Sequence, residues 1–115
     1  MTTKECIFCG ISRGAVEADI LYRDEQLMVF RDANPKAPTH LLIIPRRHVA
    51  GLSYAGGRTA GVLGQMFGLA EEMARREGVT ISGYRLVMNQ GLDSGQELEH
   101  LHMHLIGGKI LGAMG

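Results

Sequence analysis

Short runs of β-branched and aliphatic residues alternate with polar breaks along most of this chain, and only one stretch follows a helical period. Residues 20–22 and Leu27–Arg31 are two apolar runs separated by Arg23-Asp24-Glu25-Gln26, a spacing that predicts a hairpin. Residues 39–44 form a denser run stopped by Pro45 and predict a central strand. The intervening Asp32-Ala33-Asn34-Pro35-Lys36-Ala37-Pro38 is turn-rich, because each proline fixes its own φ and restricts the residue before it. Residues 84–89 and 100–106 read as two further strands, with a polar, Gly-containing loop from Gln90 to Glu97 between them.

The helical stretch spans residues 59–77. Val62, Leu63, Met66, Phe67, Ala70 and Met73 recur at the helical period, while Gln65, Glu71, Glu72, Arg75 and Arg76 form the wet face. Gly78 supplies a stop, with Arg75 and Arg76 suited to the last turn. Gly61, Gly64 and Gly68 share one stripe, and each costs about 1 kcal/mol of helix propensity against Ala. The stripe predicts close packing of the helix backbone on the sheet or on a partner chain. One largely antiparallel sheet with a long helix on a face makes an α+β domain, and its open sheet edge makes it a candidate for dimer formation.

Composition narrows the function classes. The 115 residues suit a single domain, and 45% apolar residues support a packed core. Twelve Lys+Arg balance twelve Asp+Glu, and no long basic run occurs, which argues against a duplex or long single-stranded nucleic acid as partner. A small phosphorylated ligand held by backbone N–H groups and polar side chains stays open. No run approaches the roughly 18 apolar residues of a membrane span. The first six residues lack the apolar stretch of a secretory signal, so a cytoplasmic setting is expected. In that setting Cys6 and Cys9 read as metal ligands or free thiols rather than a disulfide, with Gly10 allowing a tight turn behind them. A redox role is disfavoured, because the pair does not follow a strand in a βαβ setting.

The sharpest chemical signal is histidine placement. Three of the five histidines are His100, His102 and His104, interleaved with Leu101, Met103 and Leu105. On a strand the side-chain period is two, so the three imidazoles share one face and the apolar residues the other. Stacked imidazoles cost desolvation and risk like-charge repulsion, which packing alone gives no reason to accept. A metal site and nucleophilic catalysis both fit such a row. A nucleophilic imidazole needs one nitrogen bare and the other donating to an acceptor that locks the tautomer. The middle position favours His102 as nucleophile, with His104 contacting phosphoryl oxygens or aiding proton transfer.

The run His100-Leu101-His102-Met103-His104-Leu105-Ile106 resembles the signature of the histidine triad (HIT) family. The resemblance extends to Phe30 through His40, to Ile44-Pro45-Arg46-Arg47-His48, to Tyr84-Arg85-Leu86-Val87-Met88-Asn89 and to Gly95-Gln96, covering Cys6 to Gly108 with a short tail at 109–115. It implies a five-stranded, mainly antiparallel sheet with one long and one short helix. It further implies the Hint-like branch of purine nucleoside phosphoramidases, typically homodimers that pair helices and sheet edges. In that pattern His102 is nucleotidylated and water then releases the nucleoside monophosphate. His40 stands beside the triad, Asp32 accepts from ribose hydroxyls, and Asn89, Gly95 and Gln96 lie near the phosphate and leaving group. Glu97 departs from the pattern, standing where related proteins commonly place a small hydroxyl residue. Pointing inward, its charge opposes an anionic substrate; pointing outward, it leaves the loop backbone to donate.

Cys6 and Cys9 have the spacing of a zinc knuckle. Resemblance to bacterial members and to a related nucleotidyltransferase branch implies His48 and His100 as the further ligands of a structural zinc. The competing readings are a dinucleoside polyphosphate or adenylylated-compound hydrolase of the same mechanism, a nucleotide-binding regulatory protein with vestigial turnover, and a purely zinc-structural interaction module.

Overall fold

Five strands, β1 (Ile20–Arg23), β2 (Leu27–Arg31), β3 (Thr39–Pro45), β4 (Tyr84–Val87) and β5 (Met103–Gly107), join in one antiparallel sheet ordered β1-β2-β3-β5-β4 among the described residues. The structure, a computed structural model, describes residues 6–52 and 56–115. Residues 1–5, read above for a leader, and 53–55 lie outside the described residues. The short α1 (Ile7–Ser12) precedes the sheet, and the long α2 (Gly56–Arg76) connects β3 to β4. The expected α+β class and the central position of β3 both hold.

The unbroken apolar runs of β2 and β3 follow from burial on both faces. Leu27, Val29, Leu41 and Ile43 pack with Met66, Leu69, Ala70 and Met73 of α2. The alternate residues Met28, Phe30, Leu42 and Ile44 pack with Phe8, Cys9 and Ile11 of α1. Burying each such side chain contributes about 1.5–3 kcal/mol, so the two helices fix the register of the strands they cover. Asp24 closes the predicted hairpin: its Oδ1 accepts from the backbone N–H groups of Gln26 and Leu27, both at 2.7 Å, and its Oδ2 accepts from the Tyr22 hydroxyl at 2.7 Å. Arg31 at the end of β2 grips Glu77 just past α2 with two N–H···O bonds of 2.9 and 3.0 Å. That guanidinium holds the Glu77 carboxyl below its ordinary range despite burial.

Several expectations shift. Phe67 is 52% exposed, and the buried stripe of α2 runs instead through Met66, Leu69, Ala70, Met73 and Ala74. A Cβ built at Gly61, Gly64 or Gly68 meets nothing within 4 Å among the described residues, so the glycine stripe does not pack on the chain's own sheet. Gly10 lies inside α1 with no positive φ. Its small size matters instead, since a Cβ there would stand 2.8 Å from Cγ2 of Val16. The fourth and fifth strands are also shorter than the apolar runs. β4 stops at Val87, opposite His104, and β5 begins only at Met103, opposite Ile43. Residues 100–102 run in without ladder partners, Leu101 donating its N–H to the Val49 carbonyl at 2.6 Å. No described helix is long and apolar enough to cross a membrane.

Candidate active site

His104 and Leu42 are paired across β5 and β3 on the sheet face that carries α1. The alternation that sends Met103 and Leu105 to the α2 side turns His104 to the α1 side, and His102 joins it there, the two ring centroids being 5.1 Å apart. Phe8 of α1 meets His100 and His102 with edge contacts at centroid distances of 5.7 and 5.3 Å. The three imidazoles therefore share a face as expected, although only His104 lies within a paired strand.

Fixed acceptors and donors decide where each imidazole carries its proton. Nδ1 of His102 lies 2.6 Å from the His100 carbonyl oxygen, so Nδ1–H donates and Nε2 keeps its lone pair. His40 accepts the Lys36 backbone N–H at Nδ1 (3.0 Å), which leaves its proton on Nε2 to donate to Nδ1 of His104 at 2.9 Å. Neutral His104 then carries its own proton on Nε2. Burial, followed by the neighbouring His102 and His40, pushes His104 down to about 4. Burial also lowers His40, against the opposing pull of Asp32, whose Oδ2 is 3.4 Å from His40 Nε2. Both rings are thus neutral near neutral pH, as these tautomers require.

His102 and His104 open onto a cavity of about 640 Å³. Phe8, Ile11, Phe30 and Leu42 give it an apolar wall, and Asp32 and Glu97 line it beside the imidazoles. His40 is buried behind His104 and does not line the cavity. Asn89, Gly95 and Gln96 also stand outside its lining and shape the adjoining loop. Asn89 donates to the Ser94 carbonyl at 2.7 Å, and Gln96 accepts from Gly91 N–H at 2.7 Å while donating to the Leu98 carbonyl at 3.1 Å. Gly95 closes a single 3-10 turn (Leu92–Ser94) in the left-handed region at φ 80°. Phe8 was not singled out from the sequence. Its signal was an aromatic residue between two cysteines, but nothing local tells that it reaches the histidine row. The Pro45 carbonyl and Lys36 N–H, which set two tautomers, carry no side-chain signal at all.

Cys6, Cys9, His48 and His100 converge on one point, their ligand atoms all within 4.8 Å of one another. Cys6 caps α1 and Cys9 lies in its first turn, so both sulfurs face the same way. Sulfur-to-nitrogen distances are 3.2 Å for Cys6–His100, 3.3 Å for Cys9–His48 and 3.6 Å for Cys9–His100. Tetrahedral zinc bonded to thiolate and imidazole sets those edges at about 3.5 Å. His100 donates from Nε2 to the Pro45 carbonyl at 2.8 Å, leaving Nδ1 for a metal. Burial keeps this imidazole neutral, lowering it to about 4. Burial, then the adjacent Cys6, pushes the Cys9 thiol up to about 11, so a bound dication is the charge that would stabilise thiolates here. The residues fit a metal ion.

Residues 13–110 match the family model described as the HIT domain. The chain belongs to the HIT family. It is 42% identical over 111 residues to the purine nucleoside phosphoramidase of Escherichia coli (strain K12), covering 96% of this chain and 93% of that one. Among solved structures it resembles a HIT family hydrolase from Legionella pneumophila Philadelphia 1, with a TM-score of 0.91 and 39% identity over 94% of this chain and 96% of that one. A histidine triad protein from Clostridium difficile superposes with a TM-score of 0.94 at 32% identity, covering 100% of both chains.

Proposed function

We propose that this protein hydrolyses the phosphorus–nitrogen bond of purine nucleoside phosphoramidates through a nucleotidyl-His102 intermediate, releasing a nucleoside monophosphate and an amine. One contact carries the reading: the 2.6 Å bond from His102 Nδ1 to the His100 carbonyl, which bares Nε2 on a ring that lines the cavity. The phosphoramidase activity in the name of the Escherichia coli relative supports the bond type.

In the first half-reaction His102 Nε2 bonds to phosphorus as the P–N bond breaks, while the Nε2–H of His104 hydrogen-bonds to the departing nitrogen, which takes its proton from solvent. In the second, water attacks phosphorus and loses its proton to solvent, and the N–P bond breaks to return the lone pair to His102 Nε2. Asp32 takes the ribose hydroxyls, the apolar wall suits the purine, and Asn89, Gly95 and Gln96 act on the phosphate through the loop they brace. Cys6, Cys9, His48 and His100 would hold a zinc whose part is structural, tying α1 and His48 to the start of the triad. The working form is a homodimer, supported by the open edge at β4, the unpacked glycine stripe and exposed Phe67.

Brief incubation with an adenosine phosphoramidate should add one nucleoside monophosphate to the intact mass, located on His102. His102→Ala should lose both adduct and turnover while keeping its fold. Equal turnover in that variant refutes the nucleophile. Nucleotide binding without turnover of the phosphoramidate or of a diadenosine polyphosphate would favour a regulatory binding protein.

A further inference from the structure

We infer that Glu97 selects the leaving group, making the site prefer phosphoramidates whose amine carries a second, positive charge. The inference rests on the reaction proposed above and adds the charge class of the substrate.

The charges around the cavity carry the argument. Among the described residues lining it, Glu97, Asp32, Glu17 and Asp19 are acidic, and Arg31 is the single cation. Arg31 is already committed, bonded twice to Glu77 at 2.9 and 3.0 Å and 3.4 Å from Asp19. No lysine among the described residues lines the cavity. His104, kept neutral by burial, supplies an N–H but no standing positive charge. A site built for several phosphates needs cations, and this one presents carboxylates.

Glu97 is the carboxylate positioned to act on the leaving group. It stands three residues before His100, on the loop that enters the triad, and lines the cavity together with His102 and His104. The apolar wall of Phe8, Ile11 and Phe30 suits the base, and Asp32 suits the sugar, so the imidazole side is left for the scissile bond and the amine. A cationic amine substituent there is attracted by Glu97; a carboxylate or further phosphate is repelled. Screening at physiological salt reduces a charge interaction across a Debye length, about 8 Å, without abolishing it. A change from positive to negative substituent should therefore cost about tenfold in kcat/KM.

The test uses adenosine phosphoramidates made from diaminobutane, butylamine and aminobutanoate, which match in length and differ in distal charge. The expected kcat/KM order is cationic, neutral, anionic, with a ratio of about ten between the ends that shrinks as salt is added. Glu97→Gln should bring the ratio towards one and Glu97→Lys should invert it. Turnover of all three amides at equal kcat/KM, or a ratio unchanged in Glu97→Gln, overturns the inference and leaves the proposed reaction standing. Failure of the folded wild-type protein to cleave any of the three overturns the proposed reaction itself, and this inference with it.

Discussion

His40 donates its Nε2–H to Nδ1 of His104 across 2.9 Å, and it can do so only because the Lys36 backbone N–H occupies its other nitrogen at 3.0 Å. A residue outside the cavity lining thus decides which nitrogen of His104 carries a proton towards the cavity. Removing that donor in His40→Ala should lower kcat about 10- to 100-fold, the usual cost of losing an orienting partner. His40→Gln, which can still donate to Nδ1, should recover part of the loss. Steady-state kinetics with leaving amines of graded basicity provides the check. The defect should be largest for the most basic leaving group, which depends most on the hydrogen bond from His104 Nε2–H, and a uniform defect would argue for a merely structural His40.

The Cys6, Cys9, His48 and His100 cluster leads to a prediction about metal. Native protein should carry one zinc per chain by elemental analysis, and Cys9→Ser should lose it with a clear fall in thermal midpoint. Activity should fall as well, because the His100 whose Nδ1 would hold the metal also supplies the carbonyl that locks His102 at 2.6 Å. Metal-free protein with an unchanged midpoint would rule out a structural zinc.

Acid sensitivity follows from His104. Burial holds its folded pKa at about 4, against about 6.5 for an unperturbed imidazole. The unfolded chain binds a proton between those values that the folded chain refuses, so this contribution to stability is complete above about pH 6.5 and falls as pH drops towards 4. In thermal unfolding followed across that window, His104→Gln should show a shallower loss than wild type. Identical slopes would mean that another group causes the acid loss.

Phe67 tests the assembly. Phe67 is 52% exposed on α2, beside glycines at which an added Cβ would meet nothing within 4 Å among the described residues. Phe67→Asp should convert a dimer to monomer in sedimentation velocity while leaving the circular dichroism unchanged. A wild-type monomer at micromolar concentration would refute the dimer directly.

Much of the fold was legible because local rules and tertiary demands agree. The Leu27–Arg31 run became β2 with those bounds, and the run ended by Pro45 became β3 at the centre of the sheet. Errors arose where packing overrode pattern. Phe67 fits the helical period yet falls off the buried stripe, and the run from His100 loses its first three residues to loop, the ladder with β3 ending at the Ile43–Met103 pair. Among the expected site residues, the chain brings His102, His104, Asp32 and Glu97 to one cavity, with His40 behind them and Asn89, Gly95 and Gln96 on the bracing loop.

Sequence by itself determined that three imidazoles at a two-residue spacing must lie on one side of an extended segment, because side chains of such a segment alternate whatever surrounds it. It could not determine the chemical state of those imidazoles. That was decided by the Lys36 N–H and the carbonyls of Pro45 and His100, backbone groups that every sequence possesses and that only the folded chain sets within hydrogen-bond reach of a particular ring nitrogen.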